Sequence, residues 1–132
     1  MSDERRPRVL VVDDEERVRG LLCDMLALWG CQAVEAPSSN TALALFEQGD
    51  YDLVVTDFLM QGRTGLDLIR DLRSRDAAVG VIMFTASAAD FDAASRELEF
   101  TLLRKPLHLE GLKSAVGQVL RGRARTTPAA FF

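Results

Sequence analysis

The chain has 132 residues, of which 48% are hydrophobic and 27% charged, and this balance is typical of one globular domain with a single core. Its net charge of -4 argues against binding to nucleic acid or to an anionic membrane surface. No apolar run is long enough to span a membrane, and no signal peptide is visible, so the expected location is the cytoplasm.

Strands and helices are predicted to alternate along the whole chain. The predicted strands are short apolar runs at residues 9–12, 32–36, 53–56, 79–84 and 100–103. Between them, apolar residues recur three or four positions apart, as in the first helix, where the pattern runs from Val18 to Trp29 and Gly30 ends it. The two cysteines, Cys23 and Cys31, fall outside any CxxC pair and are expected to be reduced and buried.

Two helices carry candidate start signals. Thr64 with Asp67 and Ser87 with Asp90 both have the spacing of a capping box, in which each side chain bonds the other residue's backbone N–H. Pro106 is expected to interrupt regular structure between the fifth strand and the last helix.

Regular alternation of strand and helix predicts a doubly wound α/β fold with helices on both faces of a parallel sheet. With five strands, the natural order is the flavodoxin-like 2-1-3-4-5. Glu35 lies in the second strand, and a charge there suits the edge of the sheet.

Polar residues stand at the carboxyl ends of four predicted strands. Asp13 and Asp14 end the first, Asp57 the third and Thr85 the fourth, and Lys105 follows the fifth. In an open parallel sheet, ligands bind beyond these ends, near the reversal in strand order. We therefore expect three carboxylates, a hydroxyl and an ammonium to converge on one shallow pocket.

The chemistry of this set indicates phosphoryl transfer. Three neighbouring carboxylates repel one another unless a cation lies between them, and ligands that are all oxygen favour Mg²⁺. Lys105 supplies a second positive charge for phosphate oxygens, and Thr85 a hydrogen bond. Asp57 stands alone at its strand end and is the best candidate nucleophile.

Four segments of the chain together resemble the receiver domains of two-component response regulators. They are VLVVDDE at 9–15, DLVVTDFLMQGRTG at 52–65, VIMFTAS at 81–87 and LLRKP at 102–106. The resemblance covers the chain up to its C-terminal residues, so we expect a receiver domain over residues 1–121 and a flexible tail over 122–132. Three arginines, Arg121, Arg123 and Arg125, lie close together near the C-terminus and are expected to be solvated.

The resemblance implies a role for each residue of the site. Asp57 is the phospho-acceptor and a ligand of Mg²⁺. Asp14 binds the ion directly, Asp13 acts mostly through water, and the backbone carbonyl of Leu59 is the third protein ligand.

It also implies the parts of a switch. Thr85 moves toward the phosphoryl group, Lys105 pairs with it, and the peptide bond before Pro106 is cis. Family members usually have a tyrosine or phenylalanine at the position of Leu102 and a proline at that of Gln61. Compared with the family, the segment between Thr85 and Lys105 is also short and lacks the glycine often found before the fifth strand, so the fourth helix is expected to be shortened or irregular. These departures bear on how the signal is transmitted and on the mobility of the loop after Asp57.

The implied partners are a histidine kinase or a histidine phosphotransfer protein as donor, together with an unidentified effector protein. The implied chemistry is limited to self-phosphorylation and self-dephosphorylation, so the domain is not expected to be an enzyme. It is expected to be a monomer or weak dimer, either as a stand-alone receiver or as a piece of a longer protein.

Three other functions agree less well with these residues. A phosphorylation-independent binding module is favoured mildly by Leu102 and Gln61 and opposed by the intact acidic site. A Mg²⁺-dependent phosphohydrolase with an aspartyl intermediate would place its acids two apart after the first strand. A flavin site would require a Ser/Thr/Gly loop where Asp13 and Asp14 would repel a phosphate.

Overall fold

The computed structural model describes residues 6–122, in which five strands alternate with five helices. The strands are β1 (Arg8–Val12), β2 (Gln32–Ala36), β3 (Leu53–Asp57), β4 (Gly80–Thr85) and β5 (Thr101–Arg104). The helices are α1 (Glu16–Leu28), α2 (Ser39–Gln48), α3 (Gly65–Arg75), α4 (Asp92–Leu98) and α5 (Leu109–Gly122). Predicted and observed strands differ by at most one residue at either end. Gly122, predicted to begin the tail, is the last residue of α5, and the rest of the predicted tail lies outside the described residues.

The five strands form one parallel sheet in the order β2-β1-β3-β4-β5, which confirms the predicted topology. β2 is an edge strand, and the charged Glu35 on it is exposed. The chain leaves β1 toward one edge for β2 and returns to the other side of β1 for β3. The strand order therefore reverses between β1 and β3, and their carboxyl ends flank the switch point.

Two apolar cores lie on opposite faces of the sheet. Alternation along β1 sends Leu10 and Val12 into one core and Val9 and Val11 into the other, and all four are fully buried. The first core packs beneath α2, α3 and α4, and the second beneath α1 and α5. Trp29 is buried in the second core, as its place in the helical pattern predicted. A sheet covered on both faces holds its strand ends in fixed relative positions.

One of the two predicted capping boxes is present. Thr64 and Asp67 exchange bonds of 3.2 and 3.1 Å at the start of α3, and the bond from the Thr64 N–H lowers the pKa of the Asp67 carboxyl. The prediction for Ser87 and Asp90 was wrong. Each side chain bonds the N–H two residues ahead, at 3.1 and 2.9 Å, within an irregular loop, and the short α4 begins only at Asp92.

The end of the sheet opposite the strand carboxyl ends is fastened by Arg73. Its guanidinium donates to the carbonyl oxygens of Leu98 at 2.7 Å, Glu99 at 2.7 Å and Val79 at 2.6 Å. Glu99 ends α4 with a φ of 58°, a left-handed conformation that costs a residue with a Cβ about 1–2 kcal/mol. A glycine would adopt this conformation without that cost, but the sequence has none directly before β5. The hydrogen bonds from Arg73 to the surrounding carbonyl oxygens hold Glu99 in the left-handed conformation instead.

Neither cysteine takes part in a disulfide. Burial raises the pKa of both thiols to about 11, so Cys23 and Cys31 remain protonated at neutral pH. Cys31 is buried as predicted, whereas Cys23 is half-buried. Within residues 6–122, no helix has both the length and the apolar character that a membrane span requires.

Candidate functional site

The carboxyl ends of the central strands bring the predicted acidic residues together. Asp13 and Asp14 follow β1, and Asp57 is the last residue of β3. One carboxylate oxygen from each of the three lies within 4.8 Å of the others. This grouping arises because β1 and β3 are neighbours in parallel register, with Val12 beside Thr56.

Asp13 is the most deeply buried of the three acids, with 1% of its surface exposed. Its Oδ1 accepts a 2.9 Å bond from the Glu15 N–H, whereas Oδ2 is buried with no hydrogen-bond partner. Burial raises the pKa of the Asp13 carboxyl, and the carboxylates of Asp57 and Asp14 raise it further. A buried carboxylate oxygen without a partner is costly in a folded protein, and a cation between the three acids would remove that cost. The donor set therefore fits a divalent metal ion that prefers oxygen.

Asp14 and Leu59 lie on the solvent side of the site. Asp14 is exposed, and its Oδ2 accepts a 3.1 Å bond from the Gln61 N–H. Leu59 pairs with Thr64 in an isolated antiparallel bridge, which fixes the backbone just after Asp57. The Leu59 side chain is 70% exposed. An apolar group thus stands two residues after Asp57 on the open side of the pocket.

Lys105 lies beside Asp57. Its Nζ is 3.5 Å from Asp57 Oδ1 and 5.3 Å from the centre of the Phe84 ring. The backbone N–H of Lys105 donates to the Thr85 carbonyl at 2.8 Å, which continues the pairing of β4 with β5. The Lys105–Pro106 peptide bond is cis. Asp57 is 7% exposed, so only a small part of its surface is open to an incoming group.

Thr85 and Leu102 occupy neighbouring strands. The Thr85 side chain is buried at the end of β4, and its Oγ1 accepts a 2.9 Å bond from the Ser87 N–H. The hydroxyl proton of Thr85 is thereby left to donate to another acceptor. Leu102 is half-buried on β5 and packs against the core beneath α4. Leu102 therefore contributes to packing at the position where the family usually has a tyrosine or phenylalanine.

Two residues beside the site, Gly65 and Arg19, have roles that were not predicted from the sequence. Gly65 leaves no room for a side chain, since an added Cβ would lie 2.5 Å from the Asp57 carbonyl oxygen and 3.1 Å from the Phe58 Cα. Arg19 donates from Nη1 to the Asp13 carbonyl oxygen at 2.8 Å and from Nε to Glu35 at 2.8 Å. A glycine at the first position of a helix was a readable signal for the first, but nothing in the sequence pairs Arg19 with the site.

A family model described as the response regulator receiver domain matches residues 9–117. This chain belongs to that family. The match takes in β1 through most of α5 and every residue of the acidic site. Phosphorylation-mediated two-component signalling is therefore the function class of this receiver domain, and a phosphorylation-independent module is not favoured.

Individual relatives agree with this membership. The receiver domain is 34% identical over 131 residues to the virulence sensor protein BvgS of Bordetella pertussis, covering 92% of this chain and 10% of BvgS. It is 36% identical over 84 residues to the chemotaxis protein CheY of Pseudomonas aeruginosa, covering 61% of this chain and 68% of CheY. The chain thus spans about a tenth of the BvgS length.

Solved structures agree as well. The response regulator TrrA of Thermotoga maritima, solved in complex with Mg²⁺–BeF, is 32% identical with a TM-score of 0.79. The match covers 86% of this chain and 99% of that one. A CheY-like receiver from Methanospirillum hungatei has a TM-score of 0.85 at 20% identity, over 90% of this chain and 97% of that one, and supports the fold alone.

Proposed function

We propose that this receiver domain accepts a phosphoryl group on Asp57 from a phosphohistidine of a histidine kinase or a histidine phosphotransfer protein. The observation that carries the proposal is the position of the Asp57 carboxylate at the switch point, grouped with two other acids and 3.5 Å from the Lys105 ammonium. In the proposed step, an Asp57 oxygen attacks phosphorus, the P–N bond to the donor imidazole breaks, and an acyl phosphate forms.

Asp14, Asp57 and the Leu59 carbonyl would bind Mg²⁺ directly, and Asp13 would act mostly through water. When bound, the ion supplies positive charge that offsets the charge of the phosphoryl oxygens. Lys105 exchanges its contact with Asp57 for one with a phosphoryl oxygen, and Thr85 donates its hydroxyl proton to another. Two observations support this assignment. All the candidate ligand atoms are oxygens, and the buried Oδ2 of Asp13 has no hydrogen-bond partner.

An apolar groove beside the site supports docking of a protein donor. It has a volume of about 260 Å³ and runs between α1 and α5. Leu21 and Leu109 on its walls are 57% and 54% exposed. Lys105 and Pro106 are among its lining residues, so the groove adjoins the phosphorylation site. A helix that carries the donor histidine would cover these leucines and place its imidazole near Asp57.

The remaining parts of the proposal concern the domain as a whole. The receiver unit extends through α5, which ends at Gly122, and works in the cytoplasm, where its two free cysteines stay reduced. It acts as a monomer or weak dimer toward an effector of unknown identity. Its own chemistry is limited to self-phosphorylation and self-dephosphorylation.

We expect the wild type, incubated with acetyl phosphate and Mg²⁺, to gain one phosphoryl group, and Asp57→Ala to gain none. Intact-mass measurement reads the result directly. The matched control is Asp50→Ala, which removes an exposed acid shortly before the other end of β3 and is expected to leave uptake unchanged. No uptake by the wild type, with Mg²⁺ binding shown separately, would overturn the proposal in favour of a binding module.

Leu59 is expected to lengthen the life of the acyl phosphate. An apolar side chain on the open side of the site cannot hold an attacking water by a hydrogen bond, whereas asparagine can. We therefore expect Leu59→Asn to lose its phosphoryl group faster, by roughly tenfold. The measurement is the decay of the phosphorylated mass after removal of acetyl phosphate.

Leu28→Asn is the control for this substitution, since Leu28 is 72% exposed at the far end of α1 and its replacement should leave the lifetime unchanged. A lifetime that stays the same in Leu59→Asn would show that this side chain does not limit hydrolysis.

A further inference from the structure

Arg104 joins the end of β5 to the loop that follows β4. Its guanidinium donates from Nη1 to the Ser87 carbonyl oxygen and from Nη2 to the Ala89 carbonyl oxygen, the latter at 2.9 Å. Arg104 is paired in register with Thr85, so both side chains belong to the strand ends that carry the site. One side chain thus holds two carbonyl groups of the loop at residues 86–90.

The loop has few other long-range ties. Ala86, Ala88 and Ala89 are exposed. The side chains of Ser87 and Asp90 bond backbone N–H groups two residues ahead, which shapes the loop locally without fastening it to the sheet. Among the described residues, the side-chain bonds that reach this loop from a distant part of the chain come from Arg104.

The flanks of the loop are fixed, in contrast. Thr85 is buried at the end of β4, and Phe91 is buried with its ring 4.9 Å from that of Phe58, edge to face. Phe58 directly follows Asp57. A movement near the site would therefore act on residues 86–90, the part between two anchored ends.

The contacts of Arg104 continue to the Thr85 hydroxyl. Arg104 holds the Ser87 carbonyl, and the N–H of the same residue donates to Thr85 Oγ1 at 2.9 Å. Releasing the carbonyl would free Ser87 to move and would loosen its hold on the hydroxyl. Arg104 also shares a face of β5 with Leu102, because residues two apart on a strand point the same way.

We propose that Arg104 is a positioning residue that holds the loop at residues 86–90 in its unphosphorylated conformation, so that its release forms part of the response at Asp57. This inference rests on the proposed function. A leucine at position 102 lacks the bulk and the polar tip of a ring that could rotate with the loop, whereas a guanidinium can exchange the carbonyl groups that it bonds. Phosphorylation and release of the clamp are then linked, and each favours the other.

Hydrogen exchange tests the clamp without any phosphoryl chemistry. In Arg104→Ala, amide exchange over residues 86–91 is expected to be at least about fivefold faster than in the wild type. Arg104→Lys keeps the charge without the planar fork that bonds two carbonyl groups, and is expected to fall between the two. The charge control is Arg96→Ala, which removes a cation from the exposed surface of α4 and should leave the loop unchanged. Unchanged exchange in Arg104→Ala would overturn the proposal.

The link to Asp57 is measured by titration with beryllofluoride and Mg²⁺, followed by the amide NMR signals of the loop. Beryllofluoride stands in for a phosphoryl group, and Arg104→Ala is expected to bind it about fivefold more tightly because the clamp no longer opposes the bound conformation. Equal affinity in the two proteins, despite faster exchange, would overturn the link. Failure of the wild type to bind would instead contradict the proposed function, while the exchange comparison would still decide whether the clamp exists.

Discussion

Gly65→Ala is expected to lower the free energy of unfolding by about 2 kcal/mol and to remove most phosphoryl uptake at Asp57. The added Cβ would lie 2.5 Å from the Asp57 carbonyl oxygen, a separation that requires the backbone to shift. Because that carbonyl belongs to the residue that carries the nucleophile, the shift would move the carboxylate relative to Lys105 and the other acids. Urea unfolding and intact mass after acetyl phosphate treatment measure the two effects.

Gly20→Ala is the matched control. An added Cβ on Gly20 meets nothing within 4 Å, and the residue lies inside α1. Alanine there is expected to raise the free energy of unfolding by about 0.5–1 kcal/mol and to leave uptake unchanged. Wild-type uptake by Gly65→Ala at full stability would show that the backbone after Asp57 adjusts without moving the carboxylate.

Asp13→Asn is expected to make the metal-free domain more stable while removing its response to Mg²⁺. Burial and two neighbouring carboxylates raise the pKa of Asp13 in the folded state, so its ionised form opposes folding. This unfavourable contribution appears as the pH rises through the pKa range of Asp13 and persists at neutral pH. Asparagine removes it, and we expect a gain of about 1 kcal/mol in metal-free buffer at pH 7.

The metal response should change in the opposite direction. For the wild type, Mg²⁺ at about a hundred times its Kd stabilises the fold by about 2.7 kcal/mol. Asp13→Asn lacks one of the three grouped carboxylates, and its melting temperature is expected to stay nearly constant as Mg²⁺ is added. Asp24→Asn, at an exposed position on α1, should behave as the wild type. A variant that keeps the full Mg²⁺ response would exclude Asp13 from the ion's coordination.

Most of the fold was predictable because the strands are short apolar runs bounded by polar residues. The strand order followed from the number of parallel strands, and the site from the convergence of strand ends. The first helix could be placed by its apolar spacing, and Thr64 by its capping partner Asp67. These signals are local, so reading them needs no knowledge of what packs across the sheet.

The capping box that was wrongly predicted and the arginine contacts that were not predicted depend on packing rather than on local sequence. Ser87 and Asp90 have the spacing of a capping box, but their side chains bond nearer N–H groups in a loop that the rest of the molecule shapes. Arg19 contacts the Asp13 carbonyl just after β1, and Arg104 contacts carbonyl groups of the loop after β4. Such contacts depend on the packed positions of several elements, and spacing along the sequence carries no record of them.

The two ends of the sheet differ in how firmly they are held. The end opposite the strand carboxyl ends is held more firmly, because Arg73 bonds three carbonyl groups there. Its guanidinium joins the start of β4, the end of α4 and the turn before β5 at one place. Opening that end requires these hydrogen bonds to break together, whereas residues 86–90 lie in an exposed loop that can open locally. The domain is therefore expected to open at the loop beside Thr85 while the end held by Arg73 stays closed. A protein bound at this loop would detect its opening without any change at the opposite end of the sheet.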